Sequence, residues 1–143
     1  MTTEINLAVA LFTVRIIAGV LFFFQGYDKV FHVGLSEIRQ MMQASMGNRR
    51  IPDSLINFIA TFTSWIELLC GFLLIVGLLK YFAIYLLCVN LIIVVFGFSI
   101  SKPMWENNHV FIRLLLLLIL LITPAEWDLF SLDYLFALSK LTV

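Results

Sequence analysis

Long runs of apolar residues constrain the fold of this chain more than any other feature of its sequence. A hydrocarbon core of about 30 Å takes roughly 20 helical residues, and in lipid only helices or closed barrels satisfy their backbone groups. Four runs qualify or nearly qualify, and the last is the shortest: about 7–26, 55–79, 82–100 and 109–124. The sequence therefore predicts an all-α protein, a four-helix transmembrane bundle that forms a single domain over residues 1–143.

The composition also indicates a membrane protein. Hydrophobic residues make up 62% of the chain and charged residues 13%, whereas a soluble domain is about 45–50% apolar. The lipid bilayer is thus the first expected partner. Because the net charge is zero and there is no basic patch, nucleic acid is not expected as a partner. The acidic start and the lack of a small-residue cleavage site favour a first run that stays as a membrane helix, not a signal peptide.

Two shorter helices are predicted outside the apolar runs. The segment SEIRQMMQASMGNRRIP, residues 36–52, predicts a short amphipathic helix that Ser36 would cap and Gly47 would end. We expect it to lie at the membrane interface; the alternative is a lid over a site between the helices. Residues 131–141 predict an interfacial helix, which is too short to cross the membrane. It follows Trp127, and tryptophan is favoured at the level of the lipid headgroups.

The connections predict the neighbours and the orientation of the helices. Only Lys80–Tyr81 separates the second and third runs, so these two helices are expected to be antiparallel neighbours. In a four-span topology the basic residues divide five to two, and the richer side is expected to be cytoplasmic, which puts both termini outside. The richer side carries Lys29, Arg39, Arg49, Arg50 and Lys102, and the other side carries Lys80 and Lys140.

The polar and small residues within the apolar runs form two helix faces. On a helical wheel they share one face of each of the first two runs, and small residues at such positions let helices approach closely. The faces are Ala8, Arg15, Gly19 and Gly26 in the first run, and Ala60, Ser64, Glu67 and Gly71 in the second. Gly19, Gly26, Gly71 and Gly97 are the predicted helix-packing glycines.

Four polar side chains are the candidate ligand-binding residues: Arg15, Glu67, Asn90 and Arg113. A charge near the middle of a membrane helix costs roughly 2.5–3.5 kcal/mol, so Arg15 needs compensation. Counting along each run puts Arg15 and Glu67 near the midplane, which predicts a buried ion pair with Asn90 and Arg113 nearby.

Two interpretations of this predicted cluster stay open. In the structural one, the ion pair fixes helix register. In the functional one, two arginines around one glutamate receive an anionic or carbonyl-bearing ligand such as a quinone. Arg113 has a further alternative, which is to extend towards the interface.

Metal and catalytic sites find no support in the sequence. Cys70 and Cys88 are isolated within apolar runs and are expected to be structural, and neither His32 nor His109 has a second ligand at helical spacing. No catalytic set is recognisable, so the catalytic residues are unassigned and the chain is not expected to be an enzyme on its own. No cofactor is assigned from the sequence, and a quinone is one that the charged cluster could take.

Several of these residues resemble the DoxX family of small membrane proteins. In VRIIAGVLFFFQGYDKVF the residues Arg15, Gly19, Gly26 and Lys29 match the family's first helix. In ELLCGFLLIVGLL the residues Glu67, Gly71 and Gly77 match its second. The ending WDLFSLD is similar to the family's Trp-Ser-Leu-Asp, with extra residues before the serine and Ala125–Glu126 in place of the usual glycine.

The resemblance implies a four-helix protein of the bacterial cytoplasmic (inner) membrane. Members of the family include a subunit of an archaeal thiosulfate–quinone oxidoreductase, and others are linked to oxidative-stress assemblies. The thiosulfate role does not carry over, because no matching catalytic residue is defined in this chain. The expected function is an accessory subunit of a redox or cell-envelope complex, with membrane or envelope proteins or further copies of the chain as partners. The alternatives are a quinone- or small-molecule-binding oxidoreductase subunit and a small oligomeric carrier or channel.

Overall fold

The computed structural model describes residues 2–46, 52–101 and 108–141, and in these ranges the chain is helical throughout apart from short connections. The prediction of an all-α fold is confirmed. The helices are α1 (Thr2–Tyr27), which continues into a π-helical turn (Asp28–Val33), α2 (Leu35–Met46), α3 (Asp53–Val76), α4 (Lys80–Ser101), α5 (Asn108–Ile122), a 3₁₀ turn (Ala125–Trp127) and α6 (Leu132–Leu141).

Three helical stretches are long and apolar enough to cross a membrane, namely Thr3–Val33, Asp53–Val76 and Lys80–Gly97. By length and composition they make this a multi-pass membrane protein. The apolar part of α5, Val110–Ile122, is shorter than these three. The fourth span therefore stays a prediction.

α1 and α3 pack closely through glycines. A Cβ on Gly26 would overlap the backbone of Leu68, and a Cβ on Gly71 would overlap the backbone of Phe23. A Cβ on Gly19 would lie 2.9 Å from the backbone nitrogen of Ile75. Only glycine permits so close an approach of two helix backbones, as the small residues on these two faces predict.

Gly97 is different from the other three glycines. It lies about two turns beyond Asn90 on α4, and a Cβ built on it would meet no described atom within 4 Å. Close packing of the kind seen at the other three glycines is thus not present around the Cβ position of Gly97 among the described residues, and its role in helix packing stays a prediction.

α4 and α5 complete the bundle by packing against each other, and they contact α3 and α1 respectively. Their inward side chains meet those of α1 and α3 in one apolar core. Its fully buried members are Ala18, Phe22, Cys70, Leu74, Ala83, Ile84, Leu87, Leu91, Val110, Leu117 and Leu120.

The connection between α3 and α4 lies earlier in the chain than the apolar sequence suggests. α3 ends at Val76 because Gly77 takes a left-handed conformation with φ of 74°, and the N–H groups of Gly77 and Leu78 both donate to the carbonyl of Leu73. The turn is residues 77–79, and Lys80 already begins α4. The two helices are neighbours as expected, but Lys80–Tyr81 is not the turn between them.

The two predicted shorter helices exist. α2 begins after Gly34, whose carbonyl accepts the N–H of Ile38, so Ser36 lies within the first turn and is not the cap. Gly47 lies outside the described residues. α6 begins after Ser131, whose hydroxyl accepts the N–H of Tyr134 at 3.2 Å. That contact is a side-chain cap of the kind that starts helices.

Candidate functional site

Arg15 is fully buried, and its guanidinium is bound on several sides. Its Nη1 donates to the backbone carbonyls of Leu74 (2.7 Å) and Ile75 (3.1 Å), and its Nη2 donates to the carbonyl of Phe130 (2.8 Å). Its Nε lies 3.2 Å from Oδ2 of Asp128. The charge of Arg15 is therefore met by one carboxylate and three backbone carbonyls.

These contacts make Arg15 part of the end of α3. The last four carbonyls of a helix have no partner within the helix, and in lipid no water is at hand to serve them. Gly77 and Leu78 satisfy Leu73, and Arg15 satisfies the next two carbonyls. A Cβ on Gly77 would lie 2.6 Å from Nη1 of Arg15, so the glycine leaves room for the guanidinium.

Residues after α5 complete this arrangement around the turn of residues 77–79. The Asp128 carboxylate lies 3.5 Å from the amine of Lys80, and both side chains are almost fully buried. Asp133 accepts the N–H groups of Leu79 (2.9 Å) and Lys80 (2.8 Å), where its negative charge suits the start of α4. We call Arg15, Lys80, Asp128 and Asp133 the turn cluster; it contains two cations and two carboxylates.

Glu67 is the centre of a second buried group. It is 1% exposed; its Oε2 accepts a hydrogen bond from Lys29 at 2.6 Å, and its Oε1 accepts one from Nδ2 of Asn90 at 3.1 Å. Lys29 belongs to the π-helical turn that follows α1, and its side chain is 20% exposed. Asn90 is fully buried, and its Oδ1 has no hydrogen-bond partner among the described residues.

Arg113 of α5 belongs to the same region, since it interacts electrostatically with Glu67. Its guanidinium lies 5.7 Å from the ring centroid of Phe22, at cation–π distance. Within residues 2–46, 52–101 and 108–141 it has no hydrogen-bonded partner. We call Lys29, Glu67, Asn90 and Arg113 the Glu67 cluster; it contains two cations and one carboxylate.

The predicted ion pair between Arg15 and Glu67 is wrong. Arg15 pairs with Asp128, and Glu67 pairs with Lys29. α1 and α3 run antiparallel, so that Arg15 faces the last turn of α3 while Gly26 faces Glu67 and Leu68. The part of α1 between Arg15 and Gly26 rises about 16 Å, which separates the two charges along the bundle.

Of the four predicted site residues, the structure brings three together. Glu67 and Asn90 are hydrogen-bonded, Arg113 is in electrostatic range of Glu67, and Arg15 belongs to the turn cluster. The partners of these charges, Lys29 and Asp128, do not follow from the sequence pattern. Lys29 could have been suspected as a charge next to an apolar run in a motif that matches the family, DKVF, whereas Asp128 lies among the extra residues between Trp127 and Ser131.

A groove of about 600 Å³ lies beside the turn cluster, between the first turn of α4 and α6. Two of its polar side chains already have hydrogen-bond partners. Asp133 accepts two backbone N–H groups, and Ser131 caps α6 and donates to the carbonyl of Asp128. The groove is thus part of the packing of α6 and offers no unused donor from these residues.

The two clusters differ in what they can do chemically. In the turn cluster the charges balance, since Arg15 and Lys80 both lie at ion-pair distance from Asp128, although Nζ of Lys80 and both oxygens of Asp128 lack a hydrogen-bond partner among the described residues. The Glu67 cluster has one cation in excess, whose donors can bind an anion or a carbonyl oxygen, and a buried amide oxygen that can accept a hydrogen bond. Over the described ranges, no group of three His, Cys, Asp or Glu side chains is arranged to hold a metal ion.

The comparisons with known proteins give one match. The DoxX family model matches residues 10–99, more than half of the chain, a stretch that includes Arg15, Lys29, Glu67 and Asn90. No curated protein and no solved structure was found to match. The match covers the close pairing of α1 with α3 and most of α4. The chain belongs to the DoxX family.

Proposed function

We propose that this chain is an integral membrane accessory subunit of a redox or cell-envelope complex, which anchors or assists partner proteins. The main observation behind the proposal is that its buried charged side chains bind other parts of the same chain. Arg15 binds Asp128 and the end of α3, and Glu67 binds Lys29 and Asn90. Such groups fix the relative positions of helices, and chemistry on a substrate would then be supplied by a partner.

The outer surface supports the same proposal. α4 exposes large apolar side chains at intervals of three and four residues, a pattern that a partner helix or lipid can cover. They are Phe82, Tyr85, Val89, Ile92 and Phe96. Similar side chains are exposed on α1, α3 and α5.

A photo-crosslinking scan in intact membranes tests this proposal. A photoreactive amino acid is placed singly at outward positions of α1, α3, α4 and α5, and the products are identified by mass spectrometry. We expect crosslinks to one protein, in stoichiometric amounts, from consecutive positions of one helix face. Inward positions such as Leu87 serve as controls and should crosslink only within the chain. Crosslinks to lipid alone at every outward position would contradict the proposal.

The proposed location is the bacterial cytoplasmic membrane, with α5 as a fourth span and both termini outside. The bias of basic residues supports this orientation. Single cysteines at residues 3 and 136, in a variant without Cys70 and Cys88, should react with an impermeant thiol reagent added to the outside of spheroplasts. Labelling only after lysis would reverse the orientation.

A second candidate function is the binding of a small molecule by the Glu67 cluster, as part of an oxidoreductase. Arg113 has unused donors and Asn90 an unused acceptor within the described part of the chain. A quinone fits this chemistry, because its carbonyl accepts a hydrogen bond and its reduced form can also donate one.

Extraction of lipid-soluble molecules from the purified protein tests this candidate. A bound quinone should be present in the wild type and lost in Arg113→Gln, while Lys140→Gln, which removes a positive charge from α6, should retain it. A wild type that yields no quinone, or an Arg113→Gln variant that retains it, would exclude the quinone from this cluster.

A further inference from the structure

An apolar groove runs along the outward face of α3, away from both buried clusters. It is an open depression of about 300 Å³ lined by Phe58, Thr61, Phe62, Trp65, Ile66 and Leu69. The rings of Phe58 and Phe62 are stacked with centroids 5.4 Å apart, and Phe58 is 62% exposed. The side chains at its rim are therefore open to whatever surrounds the protein.

One cation lies at this groove. Nη2 of Arg39, on α2, is 3.5 Å from the hydroxyl of Thr61, which is a long hydrogen bond. Nε of Arg39 is buried and has no acceptor among the described residues. Asp53, the acid at the start of α3, accepts a hydrogen bond from Gln43. Within the described ranges no carboxylate lies within ion-pair distance of Arg39.

The position of the groove in the fold indicates what surrounds it. α3 is one of the helices long and apolar enough to cross a membrane, so its outward face meets lipid chains. From Thr61 to Leu69 the helix rises about 12 Å, so an acyl chain that starts at Arg39 and follows the groove would contact that length of α3.

We propose that this groove binds one anionic phospholipid, with its phosphate on the Arg39 guanidinium and an acyl chain along Phe62, Trp65 and Leu69. Guanidinium groups bind phosphate through paired hydrogen bonds, and basic pockets beside membrane helices select anionic headgroups. A zwitterionic headgroup is disfavoured because its own ammonium competes with Arg39 for the phosphate. The proposal is independent of the proposed function as an accessory subunit.

Lipid retention measured by native mass spectrometry tests the proposal. The protein is reconstituted in nanodiscs with equal amounts of phosphatidylglycerol and phosphatidylcholine, released, and its bound lipids are identified. The wild type should retain one phosphatidylglycerol in preference to phosphatidylcholine. Arg39→Gln, which keeps a donor for Thr61, should lower that retention about fivefold, the usual effect of one basic residue at a membrane surface.

Two matched controls separate the groove from general effects. Phe62→Ala opens the groove and should also lower retention, whereas Phe96→Ala removes an equally large ring from the 70% exposed Phe96 of α4 and should not. Lys140→Gln removes the same charge as Arg39→Gln, but from α6, and should retain the lipid.

Three results would overturn the proposal. They are equal retention of the two lipids by the wild type, wild-type retention by Arg39→Gln, and a photo-crosslinker at position 62 that captures a protein instead of lipid. Thermal melting establishes that each variant is folded. If Arg39→Gln does not fold, the proposal is judged on whether the wild type retains phosphatidylglycerol in preference to phosphatidylcholine.

Discussion

A guanidinium group in an apolar bundle is stable only where its donors have acceptors. The terminal nitrogens of Arg15 meet this condition with the carbonyls of Leu74 and Ile75 at the end of α3 and of Phe130 before α6, and Asp128 lies at ion-pair distance from its Nε. Arg15 thus joins three segments at one point. Its role in the described structure is to hold the end of α3 against the segment that follows α5.

Replacement of Arg15 should therefore destabilise the bundle strongly. Arg15→Gln leaves Asp128 with only Lys80 and leaves helix-end carbonyls without a donor, so we expect a loss of about 3–5 kcal/mol of unfolding free energy. Arg15→Lys keeps the positive charge but loses the planar set of guanidinium donors. Its unfolding free energy should therefore lie between that of the wild type and that of Arg15→Gln. Unfolding of the purified protein in mixed micelles, at increasing sodium dodecyl sulfate, measures each loss. An unchanged Arg15→Gln transition would mean that these contacts do not contribute to stability.

The pair of Lys29 and Glu67 should show energetic coupling. Glu67→Gln removes the acceptor charge that Lys29 and Arg113 share, with an expected loss of about 1.5–3 kcal/mol. The double variant Lys29→Met with Glu67→Gln should lose less unfolding free energy than the sum of the two single variants. The reason is that each change removes the charge that the other change would leave unpaired. The same unfolding assay gives all three values. Strict additivity would be evidence against the Lys29–Glu67 contact.

At the scale of the helices, the glycines of α1 and α3 determine how closely the two helices pack. Gly26 and Gly71 face the backbone of the opposite helix, whereas Gly97 of α4 has room around the position of a Cβ. The turn after α3 depends on Gly77 for a different reason, its positive φ and its closeness to Arg15. The glycines of α1, α3 and the turn after α3 thus have two different structural roles.

A matched pair of alanine substitutions distinguishes packing glycines from others. Gly26→Ala should cost at least about 1–3 kcal/mol, because its Cβ overlaps the Leu68 backbone and α1 has to move away from α3. Gly97→Ala, which leaves the backbone groups in place, should change stability by less than about 1 kcal/mol. Thermal melting in detergent compares the two. Equal losses for both variants would contradict the packing described for α1 and α3.

The sequence predicts helix faces better than it predicts contacts. The buried faces of α1 and α3 follow from helical spacing, and Arg15 and Glu67 are buried on them as predicted. Their pairing was predicted wrongly because depth was counted from the start of each run, with α3 taken to extend to Leu79. The offset between two helices depends on where each one ends, and the left-handed Gly77 that ends α3 is not evident from hydropathy.

The partners from outside the runs were harder to predict. Asp128 lies in a segment whose Trp127 suggests an interface, and nothing local indicates that the chain folds back to Arg15. Lys29 reaches Glu67 because α1 continues into a π-helical turn, and this continuation has no clear signal in the sequence. Contacts between residues so far apart depend on the tertiary arrangement and not on local pattern.

For the whole molecule, the segment after α5 is a part of the bundle. Asp128 and Phe130 bind Arg15, Asp133 binds the start of α4, and the N–H of Asp133 donates to the carbonyl of Gly77. The residues just before α6 and in its first turn therefore connect α1, α3 and α4. The remainder of α6 is largely exposed, with Phe136 at 56%.

Truncations should separate these two parts of the segment. A chain that ends at Thr123 loses every contact of Asp128 and Asp133, and we expect its melting temperature to fall by ten degrees or more, on the order of the loss of a buried charge pair. A chain that ends at Phe136 keeps those contacts and should melt within a few degrees of the full chain. If the two truncated chains melt alike, the turn cluster does not stabilise the bundle.

The arrangement around Arg15 has a consequence for biogenesis. Arg15 belongs to α1, whereas Asp128 and Phe130 follow α5, so the ribosome makes them more than a hundred residues later. α1 consequently enters the membrane with a charge whose acceptors do not yet exist. Water in the insertion machinery, or a chaperone, has to solvate that charge until α3 and the segment after α5 have been made. The final position of α1 in the bundle thus depends on residues that are translated much later.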